Sequence, residues 1–169
     1  RIVEPCSKLR SLELIKEYFS ISYGRTNMHK KLSEIIKQKE TFEKIAVLYA
    51  KKHLGFDFSI VFYDVTTLYF ESFKEDKEEF RKPGFSKDNK ANQPQIVIGL
   101  IVTREGFPVS YDVFAGNTFE GKTFIPTITK FKNTYGIKNL TIVADAAMIS
   151  YPNIQSLITN NLSYIVGGR

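Results

Sequence analysis

Cysteine and histidine are scarce in this chain of 169 residues. Cys6 stands alone, so no internal disulfide can form, and its only potential zinc-binding companions, His29 and His53, lie at spacings that match no zinc site. No stretch approaches the roughly 18 to 20 uninterrupted apolar residues that span a bilayer. Arg1 to Arg10 lacks the apolar segment of a secretory signal. Internal repeats are also missing. These absences argue against redox, zinc and membrane functions, and a cytoplasmic protein is the expectation.

What remains is ordinary globular material, with 43% hydrophobic and 25% charged residues, enough to build one core. The charge is uneven. Residues 1–57 hold 12 Lys/Arg against 7 Asp/Glu, a net of +5, whereas residues 58–169 hold 12 against 11, a net of +1. A basic flank suits phosphate contacts, because neutralising phosphates releases counterions. A solvated surface with no polyanion partner accounts for the same excess.

Apolar periodicity predicts helices over Ser11–Phe19, Met28–Gln38 and Thr41–His53, the last stopped by Gly55. Phe58–Phe70 is rich in β-branched and aromatic residues and reads as a buried central strand. The polar stretch Glu71–Gln93 reads as a loop or flap. Ile96–Thr103 and Phe107–Ala115 flank Arg104-Glu105-Gly106 as a hairpin. A helix follows over Glu120–Tyr135, capped by Gly136. A short strand, Leu140–Ala144, a helix over Pro152–Asn160 and a strand over Ser163–Val166 complete the order β-β-β-α-β-α-β. The fold class is α/β: a helical region over 1–57, then a mixed sheet with helices over 58–169.

Two aspartates stand out. Asp64 interrupts the long strand and shares a face with Phe62 and Leu68, where a buried carboxylate needs a strong partner such as a divalent cation. Asp145 ends a strand, where open α/β sheets place ligand sites. Together they are candidate ligands for Mg²⁺ or Mn²⁺, hard cations that prefer oxygen donors and serve in-line phosphoryl transfer. The ordinary alternative is that each caps a turn or pairs with a nearby lysine.

Several motifs in one order sharpen this: Tyr63-Asp64-Val65-Thr66-Thr67-Leu68-Tyr69-Phe70-Glu71, Gly84-Phe85-Ser86-Lys87-Asp88, Gly106-Phe107-Pro108, Gly116-Asn117-Thr118-Phe119-Glu120 and Val143-Ala144-Asp145-Ala146. With them the chain from about residue 60 onward resembles bacterial insertion-sequence transposases with an RNase H-like DDE domain, in the insertion-sequence-four superfamily and its sixteen-thirty-four branch. The resemblance implies an RNase H-like mixed sheet with Asp64 on its first strand and Asp145 at the end of its fourth, both catalytic metal ligands. It also implies hydrolysis at transposon ends, attack of the freed 3′-hydroxyl on target DNA, and a homodimer as the candidate synaptic assembly on nucleoid DNA.

The third carboxylate of such proteins is a Glu in a Tyr-Arg-Glu-Lys-type motif, which does not occur in these residues. The expectation is therefore the front part of the domain, from a truncated gene or a longer chain, inactive by itself. The alternative is an inactive remnant that binds DNA or intact transposase.

Residues 116–123, Gly-Asn-Thr-Phe-Glu-Gly-Lys-Thr, also match the P-loop pattern literally. Against nucleotide binding, Glu120 would face phosphates with like charge, and Asn117 with Glu120 suffices as a helix-start signal. Candidate DNA contacts are Arg81, Lys82, Lys87, Lys90, Asn117 and Lys122, with Lys30, Lys31, Lys51 and Lys52 in the helical region. Tyr63, Tyr69 and Phe70 read as core rather than base-stacking groups.

Overall fold

Ser7 is the residue that starts the first helix. Its hydroxyl accepts a hydrogen bond from the Arg10 N–H at 3.1 Å, so α1 (Lys8–Phe19) begins a turn earlier than apolar periodicity alone predicts. The computed structural model describes residues 4–71, 80–86, 90 and 92–167. These divide into two units, Arg1–Ala46 and Val47–Arg169.

The first unit holds α1, α2 (Arg25–Ile36) and the start of α3 (Lys39–His53). Leu14 is buried there, whereas Phe19, Ile35, Ile36 and Phe42 are exposed. All three helices begin two or three residues before their predicted starts, because their first turns carry polar residues that hydrophobic spacing does not register.

In the second unit, Val47 and Ala50 of α3 enter the core. Gly55, at φ 66°, lets the chain reverse so that the Phe56 N–H reaches the Ala50 carbonyl at 3.1 Å. The strands are β1 (Ile60–Tyr69), β2 (Gln95–Thr103), β3 (Pro108–Ala115), β4 (Thr141–Ala144) and β5 (Ser163–Val166), with α4 (Glu120–Tyr135) and α5 (Tyr151–Thr159) between the later ones. Gly106, at φ 82°, turns the β2–β3 hairpin, and Gly136, at φ 60°, ends α4, each as its position in the sequence predicts.

The sheet order is β3-β2-β1-β4-β5. β1, β2 and β3 are antiparallel neighbours, whereas β4 runs parallel to β1 and β5 parallel to β4. This is the predicted mixed α/β sheet. Val61 and Tyr63 of β1, Ile101 of β2 and Ile142 of β4 pack with Phe124, Ile128 and Phe131 of α4 and Leu157 of α5 in one core. Lys132 Nζ, near the end of α4, donates to the carbonyls of Asn160 and Asn161 at 2.9 and 3.1 Å and ties off α5.

The predicted burial of the first long strand on both faces is wrong. The alternation is strict: Val61 and Tyr63 are buried, while Phe62 and Leu68 on the opposite face remain 37% and 49% exposed. Helices α4 and α5 lie on one face only, so the apolar run cannot be taken as evidence of two covered faces. No helix among the described residues is long and apolar enough to cross a membrane.

The polar stretch is also more ordered than a flap where it is described. Lys82 forms a backbone bridge with Gln95, donating at 3.2 Å and accepting at 3.0 Å, and the Gly116 N–H donates to Phe80 O at 2.9 Å. These bonds fasten residues 80–82 to the ends of β2 and β3.

Candidate active site

Asp64 is an exposed residue of β1, not a buried one. It is directly opposite Leu100 of β2, and among the described residues its Oδ1 accepts a local bond from the Val65 N–H at 2.8 Å. The argument from desolvation therefore fails: Asp64 is exposed, on the face of the sheet opposite the one that α4 and α5 cover.

Its placement relative to Asp145 is nevertheless specific. β1 and β4 pair in parallel with Tyr63 opposite Ala144, both buried on the helix-covered face. Asp64 and Asp145 each directly follow this last register pair in sequence, and both are exposed. Asp145 is exposed and adopts an extended backbone, then starts the 3₁₀ turn Ala146–Met148. Its Oδ1 accepts from the Ala147 N–H at 3.3 Å, so it does cap a turn, and Oδ2 is not used in that bond.

The turn is fixed from below by Asn153. Its Nδ2 donates to Met148 O at 2.9 Å and to Gly121 O at 2.8 Å, joining the 3₁₀ turn, α4 and the start of α5. No sequence pattern singled out Asn153. Its one signal is position, three residues after Ser150, whose hydroxyl caps α5 by accepting from the Asn153 N–H.

The pair presents hard oxygen donors on adjacent strands, the donor type that Mg²⁺ or Mn²⁺ prefers. Among the described residues no group of three His, Cys, Asp or Glu comes together to complete such a site.

Two of the basic candidates lie beside aromatic rings at the carboxyl end of β1. Arg81 lies with its guanidinium 5.3 Å from the centre of the Phe70 ring, and Lys90 Nζ lies 5.2 Å from that of Tyr69. Lys82 is half-buried, and Asn117 and Lys122 are exposed. Lys87 lies outside the described residues. Tyr63 is a core residue, as read from the sequence.

Asn117 does not cap α4. The N-cap position is Phe119, with no side-chain cap bond, so the helix-start signal read from Asn117 and Glu120 is two residues out of place. What the glycine-rich stretch does instead is structural. A Cβ on Gly116 would overlap the backbone oxygens of Gln95 and Lys82, so glycine is needed for three segments to meet. Thr123, the P-loop's metal-binding position, is fully buried; its hydroxyl donates to Glu120 O at 2.6 Å and is bonded to the Tyr63 hydroxyl.

The arrangement is thus an α/β domain with one exposed aspartate on β1 and another directly after β4, the strand parallel to it. Residues 55–169 match the family described as the transposase DDE domain, and the chain belongs to that family. No curated protein matches it significantly.

Among solved structures, it is similar to a Mos1 transposase paired-end complex with left transposon end, at 13% identity over 75% of this chain and 40% of that one, with a TM-score of 0.42. A pre-cleavage Mos1 transpososome is 12% identical over 90% and 53% of the two chains, also at 0.42. A Mos1 strand transfer complex is 10% identical over 95% and 58%, at 0.41. This chain spans about half the length of these transposases.

Proposed function

We propose that this chain carries the first part of a metal-dependent transposase active site that cleaves insertion-sequence ends and joins them to target DNA. Asp64 and Asp145 are the metal ligands in this reading. The observation that carries it is the parallel register of β1 and β4, whose last pair, Tyr63 and Ala144, immediately precedes the two aspartates in sequence. Membership of the transposase DDE domain family supports the same reading.

The donor set fits a hard divalent cation, Mg²⁺ or Mn²⁺, with a further acidic ligand needed to complete the coordination. Bound there, such cations supply an activated oxygen nucleophile and stabilisation of the leaving oxygen. The chain's own contribution is positional. β1 fixes Asp64 by its ladder to β2, and the Asn153-braced turn holds Asp145 at the end of β4.

DNA is the proposed substrate, as terminal repeats and target, acting on the nucleoid with two copies of the protein in the synaptic complex. Arg81, Lys82, Lys90, Asn117 and Lys122 are the proposed backbone contacts, and Lys87 belongs with them by sequence.

The test uses a terminal-repeat duplex and the longest form of the protein that cleaves it. Asp64→Ala or Asp145→Ala should abolish cleavage while leaving the gel shift in place. Retained cleavage in either variant overturns the assignment.

A further inference from the structure

Residues 116–123 match a phosphate-binding pattern that the proposed reaction does not use, yet two of them carry hydrogen bonds that lead toward the aspartates. The parallel ladder between β1 and β4 ends at Tyr63 and Ala144, one residue short of Asp64 and of Asp145. That ladder places the strands; the residues beyond it need support of their own to hold a fixed geometry.

One support runs from β1. Tyr63 is 3% exposed, and its hydroxyl sits over Gly99 of β2, where a Cβ would overlap it. The same hydroxyl lies 2.6 Å from Thr123 Oγ1 in the first turn of α4, and Thr123 is fully buried. Asp64 is the next residue along the strand.

The other support runs from the turn that Asp145 caps. Asn153 Nδ2 donates to the carbonyl of Met148, the last residue of that 3₁₀ turn, at 2.9 Å, and to Gly121 O at 2.8 Å. Gly121 is buried and lies two residues before Thr123, in the same turn of α4. The links therefore run in series, from Asp64 through Tyr63 and Thr123 to α4, and from α4 through Gly121 and Asn153 to Asp145.

The structure assigns a positioning role to the first turn of α4: it is the common brace that sets Asp64 and Asp145 to a divalent cation, with Tyr63, Thr123 and Asn153 as positioning residues. This rests on the metal-ligand reading of the two aspartates. A brace in series behaves differently from two separate supports. Breaking either link frees the pair and breaking the second adds little, whereas independent supports give losses that multiply.

Mn²⁺ titrations followed by water-proton relaxation test the brace without using turnover, on the longest form of the protein that cleaves a terminal-repeat duplex. Thr123→Val and Tyr63→Phe break the same link, and each should weaken Mn²⁺ binding about tenfold. Thr123→Ser keeps the hydroxyl and should restore the wild-type affinity. Asn153→Ala should also cost about tenfold, and the double variant Thr123→Val with Asn153→Ala about tenfold rather than about a hundredfold. Phe131→Leu, buried in the same core toward the far end of α4, should lower the melting temperature and leave Mn²⁺ binding unchanged.

Wild-type affinity in whichever of Thr123→Val and Tyr63→Phe folds overturns the brace. So does a serine variant that fails to rescue, a double variant whose losses multiply, or an equal loss in Phe131→Leu. Asp64→Ala separates the two readings. If it leaves Mn²⁺ affinity unchanged, the metal-ligand reading falls and takes the brace with it; if it weakens Mn²⁺ while the link variants do not, the brace alone falls.

Discussion

The hydroxyls of Tyr63 and Thr123 lie 2.6 Å apart in the buried seam between β1 and α4, joining residues 60 positions apart in sequence. The single Thr123 hydroxyl hydrogen goes to Glu120 O at 2.6 Å, so Tyr63 is the donor of the pair. The next residue along β1 is Asp64, which makes this bond the anchor between the strand bearing the carboxylate and the helix behind it.

Burial pushes the Tyr63 phenol from 10.0 up to about 12, against its side-chain hydrogen bonds with Thr123 and Thr127, which lower it. Between those two values an unfolded chain has lost this proton and the folded chain keeps it. Stability from Tyr63 is therefore full below about pH 10 and is lost as pH rises through 12, by about 2–3 kcal/mol in all. Urea unfolding of the wild type and Tyr63→Phe across this range should show the advantage of the wild type shrink and then reverse. At neutral pH the variant should be less stable by about 1 kcal/mol.

Asp64→Ala should change stability by less than about 0.5 kcal/mol, because Asp64 is exposed and its bond among the described residues is the local one to Val65. A carboxylate that costs nothing to remove yet eliminates cleavage would be serving chemistry rather than structure. Chemical denaturation measures the first half of this statement, and a loss of several kcal/mol would mean that Asp64 has a structural partner.

Gly116→Ala should destabilise the protein by about 1–3 kcal/mol or more, since its Cβ would meet backbone oxygen atoms of Gln95 and Lys82 rather than a movable side chain. Gly24→Ala is the control: a Cβ there meets nothing within 4 Å. Equal melting temperatures for the two variants would show that residues 80–82 yield without cost.

The glycine turns at 106 and 136 and the succession of strands and helices along the chain were legible because each depends on local chemistry. The expectation that Asp64 and Asp145 lie side by side came from resemblance, since a separation of 81 residues contains no register. Burial of Asp64 was misread for a physical reason: an apolar strand looks the same whether one face or two are covered. Gln95 and Asn153 were invisible because a lone amide has no periodic signature, and its role depends on which carbonyls the fold brings to it.

Asn153 offers the sharpest check on how the Asp145 turn is held. Asn153→Ala removes the two side-chain donations to the Gly121 and Met148 carbonyls, at a cost of about 1–3 kcal/mol. Asn153→Asp has nearly the same shape but sets an ionised acceptor against those two carbonyl oxygens, so at neutral pH it should be less stable than the alanine variant. Folding then favours the protonated acid, which can donate one hydrogen bond, and raises its pKa above the unfolded value. The aspartate variant must therefore gain stability relative to alanine as pH falls through that raised pKa. Denaturant midpoints of both variants from pH 7 to pH 4 measure this; a gap that does not narrow would mean that the side chain at 153 turns away from the two carbonyls and that the turn at Asp145 is held by something else.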